Sequence, residues 1–124
     1  MSNADRIAER MTLAFDTRDA RLFDELYSSD ATVWHSFDQV NQDRAAAMSG
    51  VRSFFGALSA LQCEDIRRLM TEEGFVQQHL LSGEFSAGGG FQRLPVCLVV
   101  RVLDGKIARI EEYIDPKGFA PKRA

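Results

Sequence analysis

The chain has 124 residues, of which 45% are hydrophobic and 27% are charged, and this size and composition favour one globular domain over two. Its formal net charge of −3 shows no excess of basic residues, so neither nucleic acid nor an anionic membrane is expected as a partner. No apolar stretch approaches the roughly 20 residues that cross a bilayer, and charged residues interrupt the N-terminus where a signal peptide would be apolar. We therefore expect a single cytoplasmic domain over residues 1–124.

The first half of the sequence predicts three amphipathic helices. Apolar residues recur at helical spacing from Ile7 to Phe15, and a short second helix follows Asp19, which can cap it. A third helix follows the capping run Asn-Gln-Asp at 41–43. Gly50 lies inside this third helix, where it weakens the helix by about 1 kcal/mol relative to alanine and can split off the first turn.

The rest of the chain predicts strands. A first strand over 31–37 is rich in β-branched and aromatic residues and follows a turn at 28–30. Four more strands are predicted at 63–71, 75–85, 94–103 and 106–115. The apolar run at 94–103 is typical of a strand that is covered on both faces. Asp104 and Gly105 predict a type I′ hairpin before the last strand, because glycine accepts the positive φ of that turn.

This order of elements predicts an α+β fold. The helices are expected on one face of a curved, mostly antiparallel sheet, because the connections between the later strands are short. Residues 116–124 are basic and are predicted to form a loosely held tail. Cys63 and Cys97 lack any CxxC or Cys/His cluster, and no phosphate-binding glycine motif precedes a helix, so no metal and no cofactor are indicated.

The first strand carries the main candidate for chemistry, His35. Successive side chains of a strand point to opposite faces, so Val33, His35 and Phe37 share one face, and Asp38 follows closely. A histidine between two apolar neighbours is either a satisfied core residue or the working group of a pocket. Trp34 lies on the opposite face, where it can anchor a dimer interface or pack at the rim of the sheet.

The last strand supplies candidate acids. Ile110, Glu112 and Ile114 share one face, so Glu112 is an acid among apolar neighbours and a candidate acid or base if the helices cover that face. The alternative is that a bulge or a sheet edge leaves Glu112 in water. Asp115 lies where the strand ends, at the possible rim of a cavity. His79 lies in the strand at 75–85, whose two faces both mix polar and apolar residues, so its direction stays open.

At this point the pattern resembles the nuclear-transport-factor-2-like superfamily, which includes ketosteroid isomerases, the SnoaL-like polyketide cyclases and limonene epoxide hydrolase. The resemblance rests on five segments, namely Arg10 to Phe15 with the following Asp19 and Leu26-Tyr27, Asp30 to His35, Phe54-Phe55, Asp104 to Ile107, and Glu111 to Asp115. It implies a cone-shaped curved sheet closed by helices, a deep apolar pocket, and a homodimer formed through the sheets.

The resemblance also places particular residues at the isomerase positions. The catalytic aspartate of the isomerases matches His35, their oxyanion-hole tyrosine matches about Met11, and their second aspartate falls near Cys97 or Leu98. Neither the methionine nor the cysteine or leucine at the two donor positions donates a strong hydrogen bond, so the transition-state stabilisation of steroid isomerisation is missing. The Asp-Arg-Asp set of the epoxide hydrolase is not recognisable in this sequence. The resemblance instead allows a histidine paired with an acid on the last strand, as in the cyclases, formed by His35 with Glu112 or Asp115.

We therefore expect a SnoaL-like enzyme that performs general acid–base chemistry on an apolar ligand, as an isomerase, a cyclase or a hydrolase. His35 is the expected base, with Glu112 or Asp115 as the residue that orients it or supplies the acid, and Asp38 close by. The residues expected to contact the ligand are Val33, Phe37, Phe54, Phe55, His79 and Ile110. The alternative is a binding or dimeric interaction module of the same fold without chemistry.

Overall fold

A computed structural model describes residues 2–119. The helices are α1 (Asn3–Thr17), α2 (Ala20–Leu26) and α3 (Arg44–Ala57), followed at the end by a short 3-10 turn over Pro116–Phe119. The strands are β1 (Tyr27–His35), β2 (Asn41–Asp43), β3 (Leu58–Met70), β4 (Gly74–Phe85), β5 (Gly90–Leu103) and β6 (Lys106–Ile114). No helix in this part of the chain is both long and apolar enough to cross a membrane.

The strands form one curved, open sheet in the order β2-β1-β6-β5-β4-β3. Neighbouring strands are antiparallel with one exception, since β1 and β6 pair in parallel. The predicted α+β class and the mostly antiparallel sheet are confirmed. The parallel pair matters for the site, because it sets His35 beside Glu112 and Val33 beside Ile110.

The helix starts follow from capping. The Ser2 side chain accepts from the backbone of Asp5 in a capping box, and the side chains of Asp19 and Asp43 accept from the first turns of α2 and α3. The predicted split at Gly50 is wrong, because α3 runs unbroken through it. Burial of the apolar face of α3 outweighs the roughly 1 kcal/mol that a glycine costs.

Two strands begin earlier than their local composition predicts. The predicted turn at 28–30 lies inside β1, which starts at Tyr27, where the chain pairs with Ile107 of β6. β3 likewise starts at Leu58, opposite Phe85 of β4. Hydrogen bonding to a neighbouring strand, which no local pattern reveals, overrides the turn propensity of serine and aspartate.

β5 is covered on one face only, which corrects the expectation of burial on both faces. Val96, Leu98 and Val100 are buried on the inner face, whereas Val99 and Arg101, which point to the other face, are exposed. The helices thus gather on the inner face of the sheet, and the outer face of β5 stays open in the single chain. The predicted hairpin is confirmed, with positive φ at both Asp104 and Gly105.

Of the expected tail, the structure describes residues 116–119, which form a short 3-10 turn. The ring of Phe119 meets Phe91 edge-on at a centroid distance of 4.8 Å and Phe54 at 5.5 Å. Phe119 therefore packs against the core, whereas residues 116–118 are exposed, and residues 120–124 lie outside the described part of the chain.

Candidate functional site

A cavity of about 260 Å³ lies between the three helices and the inner face of the sheet. Its wall is mainly aromatic and aliphatic, and the polar exceptions include two histidines and one acid. The six side chains expected to contact a ligand all line it, namely Val33, Phe37, Phe54, Phe55, His79 and Ile110. The volume lies just below the range of roughly 300–1,000 Å³ that is typical of small-molecule sites.

His35 and Glu112 meet at the edge of this cavity. Because β1 and β6 pair in parallel at these residues, both side chains point to the inner face, and Nε2 of His35 lies 3.2 Å from Oε1 of Glu112. Their side chains are only 21% and 23% exposed. The ring of Phe37 lies 5.2 Å from the imidazole and shields it on one side.

The hydrogen bond that Nε2 of His35 donates to Glu112 is the main reason that the pKa of His35 is raised above its ordinary value of 6.5. Burial acts in the opposite direction, and the negative charges of Glu112 and Asp38 add to the increase. Glu112 therefore orients the imidazole through Nε2 and stabilises its protonated form. This arrangement leaves Nδ1 of His35 as the nitrogen that can take up or release a proton.

The structure brings Glu112, and neither aspartate, into contact with His35. Asp38 is exposed in the turn after β1, where its Oδ1 accepts from the backbone of Val40 at 3.0 Å. Asp115 is exposed at the end of β6 and accepts from the backbone of Lys117 at 3.0 Å. Both carboxylates lie outside the cavity wall and are engaged in local turns.

The direction of His79, left open by its sequence, is inward. The side chain is 3% exposed and lines the cavity. Nε2 of Gln77 donates to Nδ1 of His79 at 3.1 Å, and Nε of Arg68 donates to Oε1 of Gln77 at 2.8 Å. Within residues 2–119, the other ring nitrogen of His79, Nε2, is buried without a hydrogen-bond partner.

The sequence analysis missed Gln77 and Arg68 as parts of this site. The sequence signal that indicated Gln77 was its position two residues before His79, on the face of the strand that also carries the buried Phe75 and Leu81. Arg68 had no local signal, because only the pairing of β3 with β4 sets it opposite Gln77. Its guanidinium also reaches α1, where Nη2 donates to Oγ1 of Thr12 at 2.7 Å.

The cavity holds uncharged donors as well as the His35–Glu112 pair. Burial lowers the pKa of His79, and the positive charge of Arg68 lowers it further against an opposing effect of Glu112. Burial, followed by the charge of Glu112, raises the pKa of Tyr27, so its hydroxyl stays protonated at neutral pH.

The isomerase-like positions are apolar in this cavity. Met11 and Leu98 line the wall, whereas Cys97 lies on the other side of the sheet. A donor to a ligand in this cavity must therefore come from a different residue than in the ketosteroid isomerases. In the described part of the chain, no three His, Cys, Asp or Glu side chains converge in a way that suits a metal ion.

The chain is similar to a known family and to many solved structures. The profile of the SnoaL-like domain matches residues 8–110. A candidate polyketide cyclase from Xanthomonas campestris is 19% identical, with 93% of this chain and 92% of that chain covered and a TM-score of 0.80. An epoxide hydrolase from M. tuberculosis of the LEH-like kind is 18% identical over 94% and 86% of the two chains, with a TM-score of 0.76.

An NTF2-like protein from Anabaena variabilis is 19% identical over 94% of this chain and 92% of that chain, with a TM-score of 0.79. Structural likeness at such low identity shows the fold alone. No curated protein sequence matches.

Proposed function

Because the chain belongs to the SnoaL-like domain family, we propose that it is an enzyme that performs general acid–base chemistry on a small apolar substrate, with His35 as the general base. The observation that carries this proposal is the His35–Glu112 contact of 3.2 Å at the edge of an apolar cavity. A carboxylate that holds one imidazole nitrogen fixes the ring and stabilises the imidazolium formed when the other nitrogen takes a proton.

The cavity supports a compact, apolar substrate. Its aromatic and aliphatic wall removes hydrocarbon surface from water, which favours binding without a charged group on the ligand. Isomerisation, ring closure and hydrolysis all begin with proton removal from carbon or from water, which a histidine base performs. The similar structures described as a candidate polyketide cyclase and an epoxide hydrolase support this range of reactions.

The test starts from a thermal-shift screen of small apolar ketones, esters and epoxides, because a ligand that binds only the native state raises the midpoint by mass action. Each stabilising compound is then followed for isomerisation, ring closure, hydrolysis and uptake of solvent deuterium. We expect His35→Gln to lower turnover by roughly 10²- to 10⁴-fold, the usual contribution of a general base. Full turnover in the His35→Gln protein would overturn the proposal.

Two glutamates on β6 provide a matched pair for the same assay. Glu112→Gln removes the charge beside His35, whereas Glu111→Gln makes the same change on the outer face, where Glu111 accepts from Arg109. We expect the first variant to lose turnover and the second to keep it. Equal losses in both would show that the effect is not a property of the His35–Glu112 pair.

A second candidate function is ligand binding without chemistry. It is favoured by Met11 and Leu98, which put apolar side chains where the isomerases carry their donors. A compound that binds the cavity, and that is recovered unchanged with no deuterium incorporated, would favour this alternative.

We further propose a homodimer formed through the outer face of the sheet. On that face Tyr113 is 47% exposed and Val99 is 37% exposed, on two neighbouring interior strands. The ring of Trp34 lies 5.4 Å from that of Tyr113, so the aromatic surface continues onto β1. Apolar and aromatic side chains on an open sheet face are typical of protein interfaces.

A further inference from the structure

We propose that His79 donates a hydrogen bond through Nε2–H to an acceptor oxygen of the substrate, and that the substrate is therefore an apolar carbonyl compound. This inference rests on the proposed function and adds the substrate class. In this proposal His79 is a catalytic residue that donates a hydrogen bond, whereas His35 accepts a proton. Gln77 and Arg68 are positioning residues that act through His79.

The first observation is an unpaired polar atom in an otherwise satisfied network. His79 is 3% exposed, and its Nε2 has no partner among residues 2–119, although the side chain lines the cavity. A buried polar atom without a partner is costly, so proteins retain one mainly where a ligand or a bound water completes it. An acceptor atom of a bound ligand would satisfy Nε2.

The second observation is that the network determines which nitrogen of His79 carries the proton. The guanidinium of Arg68 can only donate, so the amide of Gln77 must turn its oxygen toward Nε of Arg68, at 2.8 Å. The amide nitrogen of Gln77 then faces Nδ1 of His79 at 3.1 Å and donates to it. An Nδ1 that accepts leaves the proton of the neutral ring on Nε2, which makes Nε2 a donor.

The network is anchored outside the cavity by hydrogen bonds to α1. Nη2 of Arg68 donates to Oγ1 of Thr12 at 2.7 Å and to the carbonyl oxygen of Ala8 at 3.3 Å, which ties β3 to α1. Arg68 and Gln77 are also direct partners in the pairing of β3 with β4, which holds their side chains next to each other. These contacts hold the ring of His79 in one orientation before a ligand arrives.

An uncharged donor at this place favours a particular ligand chemistry. Burial and the positive charge of Arg68 lower the pKa of His79, so the ring is neutral at neutral pH. A neutral N–H binds a carbonyl oxygen and binds an enolate oxygen more strongly, whereas a hydrocarbon offers it no acceptor.

The proposed step combines the two histidines. His35 removes a proton from the carbon next to the carbonyl, the electron pair of that C–H bond forms a carbon–carbon double bond, and the carbonyl π pair moves onto oxygen. The hydrogen bond from His79 stabilises that oxygen. The protonated His35 then returns its proton to carbon, so no atom or electron is lost and no co-reactant is required.

The experiment compares indanone with indane, which shares its bicyclic skeleton and lacks the carbonyl oxygen. Affinities are measured by calorimetry on the full chain, and the carbonyl stretching frequency of bound indanone is read by infrared difference spectroscopy. We expect the wild type to prefer indanone by roughly 2- to 12-fold, the value of one neutral hydrogen bond, and to lower its carbonyl frequency.

Two variants at position 79 isolate the donor. His79→Phe keeps a ring of similar shape without the N–H, and it should lose both the preference for indanone and the frequency shift while still binding indane. His79→Gln can place an amide N–H near the former Nε2 and should restore part of both. Binding of indane and the circular dichroism spectrum report whether each variant is folded.

The positioning role of Gln77 has its own readout, the nitrogen NMR signals of His79. In the wild type we expect Nδ1 to be unprotonated and Nε2 to carry the proton. Gln77→Glu presents an acceptor to Nδ1 and should move a proton onto it, a change that a merely structural role would not produce. Gln78→Glu, on the exposed outer face one residue away, is the matched control and should leave the signals unchanged.

The outcomes separate the two proposals. Equal affinity for indanone and indane in the wild type, or an unchanged preference in His79→Phe, overturns the role of His79 and leaves the proposed function standing. Protonation of Nδ1 in the wild type overturns it as well. Failure of the wild type to bind either compound overturns the apolar-cavity proposal on which the inference rests. His35→Gln should keep the preference for indanone while losing deuterium exchange beside its carbonyl.

Discussion

Glu112→Gln tests the electrostatics of the site through the pH dependence of stability. The glutamine retains an oxygen that accepts from Nε2 of His35, so the substitution removes the charge and leaves a hydrogen bond possible. The wild-type contact is 3.2 Å long between side chains that are about four-fifths buried. Exposed ion pairs contribute roughly 0.2–1 kcal/mol, and the low exposure of this pair places it near the upper end, at about 1 kcal/mol.

The direction follows from the raised pKa of His35 in the folded protein. A folded-state pKa above the unfolded value means that the contribution to stability is fully present below the unfolded pKa of about 6.5 and is lost as pH rises through the folded pKa. The difference in the free energy of unfolding, wild type minus Glu112→Gln, should therefore fall by about 1 kcal/mol between about pH 5.5 and about pH 9.

Urea unfolding at the two pH values measures that difference, and an NMR titration of His35 measures the accompanying fall in its pKa. Glu112 also raises the pKa of His79, so the subtraction retains a second contribution in the same direction. In a His35→Gln background the same Glu112→Gln change should give a smaller fall, because only the effect on His79 is left, and the two pairs of variants complete a double-mutant cycle. A difference of equal size at both pH values in the wild-type background would refute the reasoning.

Three further predictions concern activity, packing and assembly. Turnover should rise as the pH rises through the raised pKa of His35, because the base must be unprotonated. A rate that falls as the pH rises through this pKa would contradict the role of His35 as base. Phe119→Ala should lower the free energy of unfolding, measured by urea denaturation, by about 2 kcal/mol, since a half-buried ring contributes less than a core one. The control is Lys117→Ala, at an exposed side chain, which should leave the free energy of unfolding unchanged. Tyr113→Arg should convert the proposed dimer to a monomer, as measured by sedimentation equilibrium. A wild-type protein that is monomeric at a concentration of roughly tens of micromolar would exclude the interface.

The helix starts and the fold class could be predicted because their causes are local. Ser2, Asp19 and Asp43 satisfy backbone N–H groups within three residues along the chain, so capping is visible in a short window of sequence. The turn at Asp104 and Gly105 is equally local, because only a few residue types accept its backbone angles. The starts of β1 and β3 could not be predicted, because their hydrogen-bond partners lie on distant strands.

The sequence by itself determined the kinds of chemical group available here, a histidine among apolar neighbours in an early strand and an acid among apolar neighbours in the last one. It left open whether Glu112 or Asp115 would accompany His35 and which way His79 would point. Those choices were made by tertiary structure, through the parallel register of β1 on β6 and the pairing of β3 with β4. The physical reason is that alternation fixes which residues share a face of a strand, whereas only inter-strand register and helix packing decide which face is buried and which side chains meet.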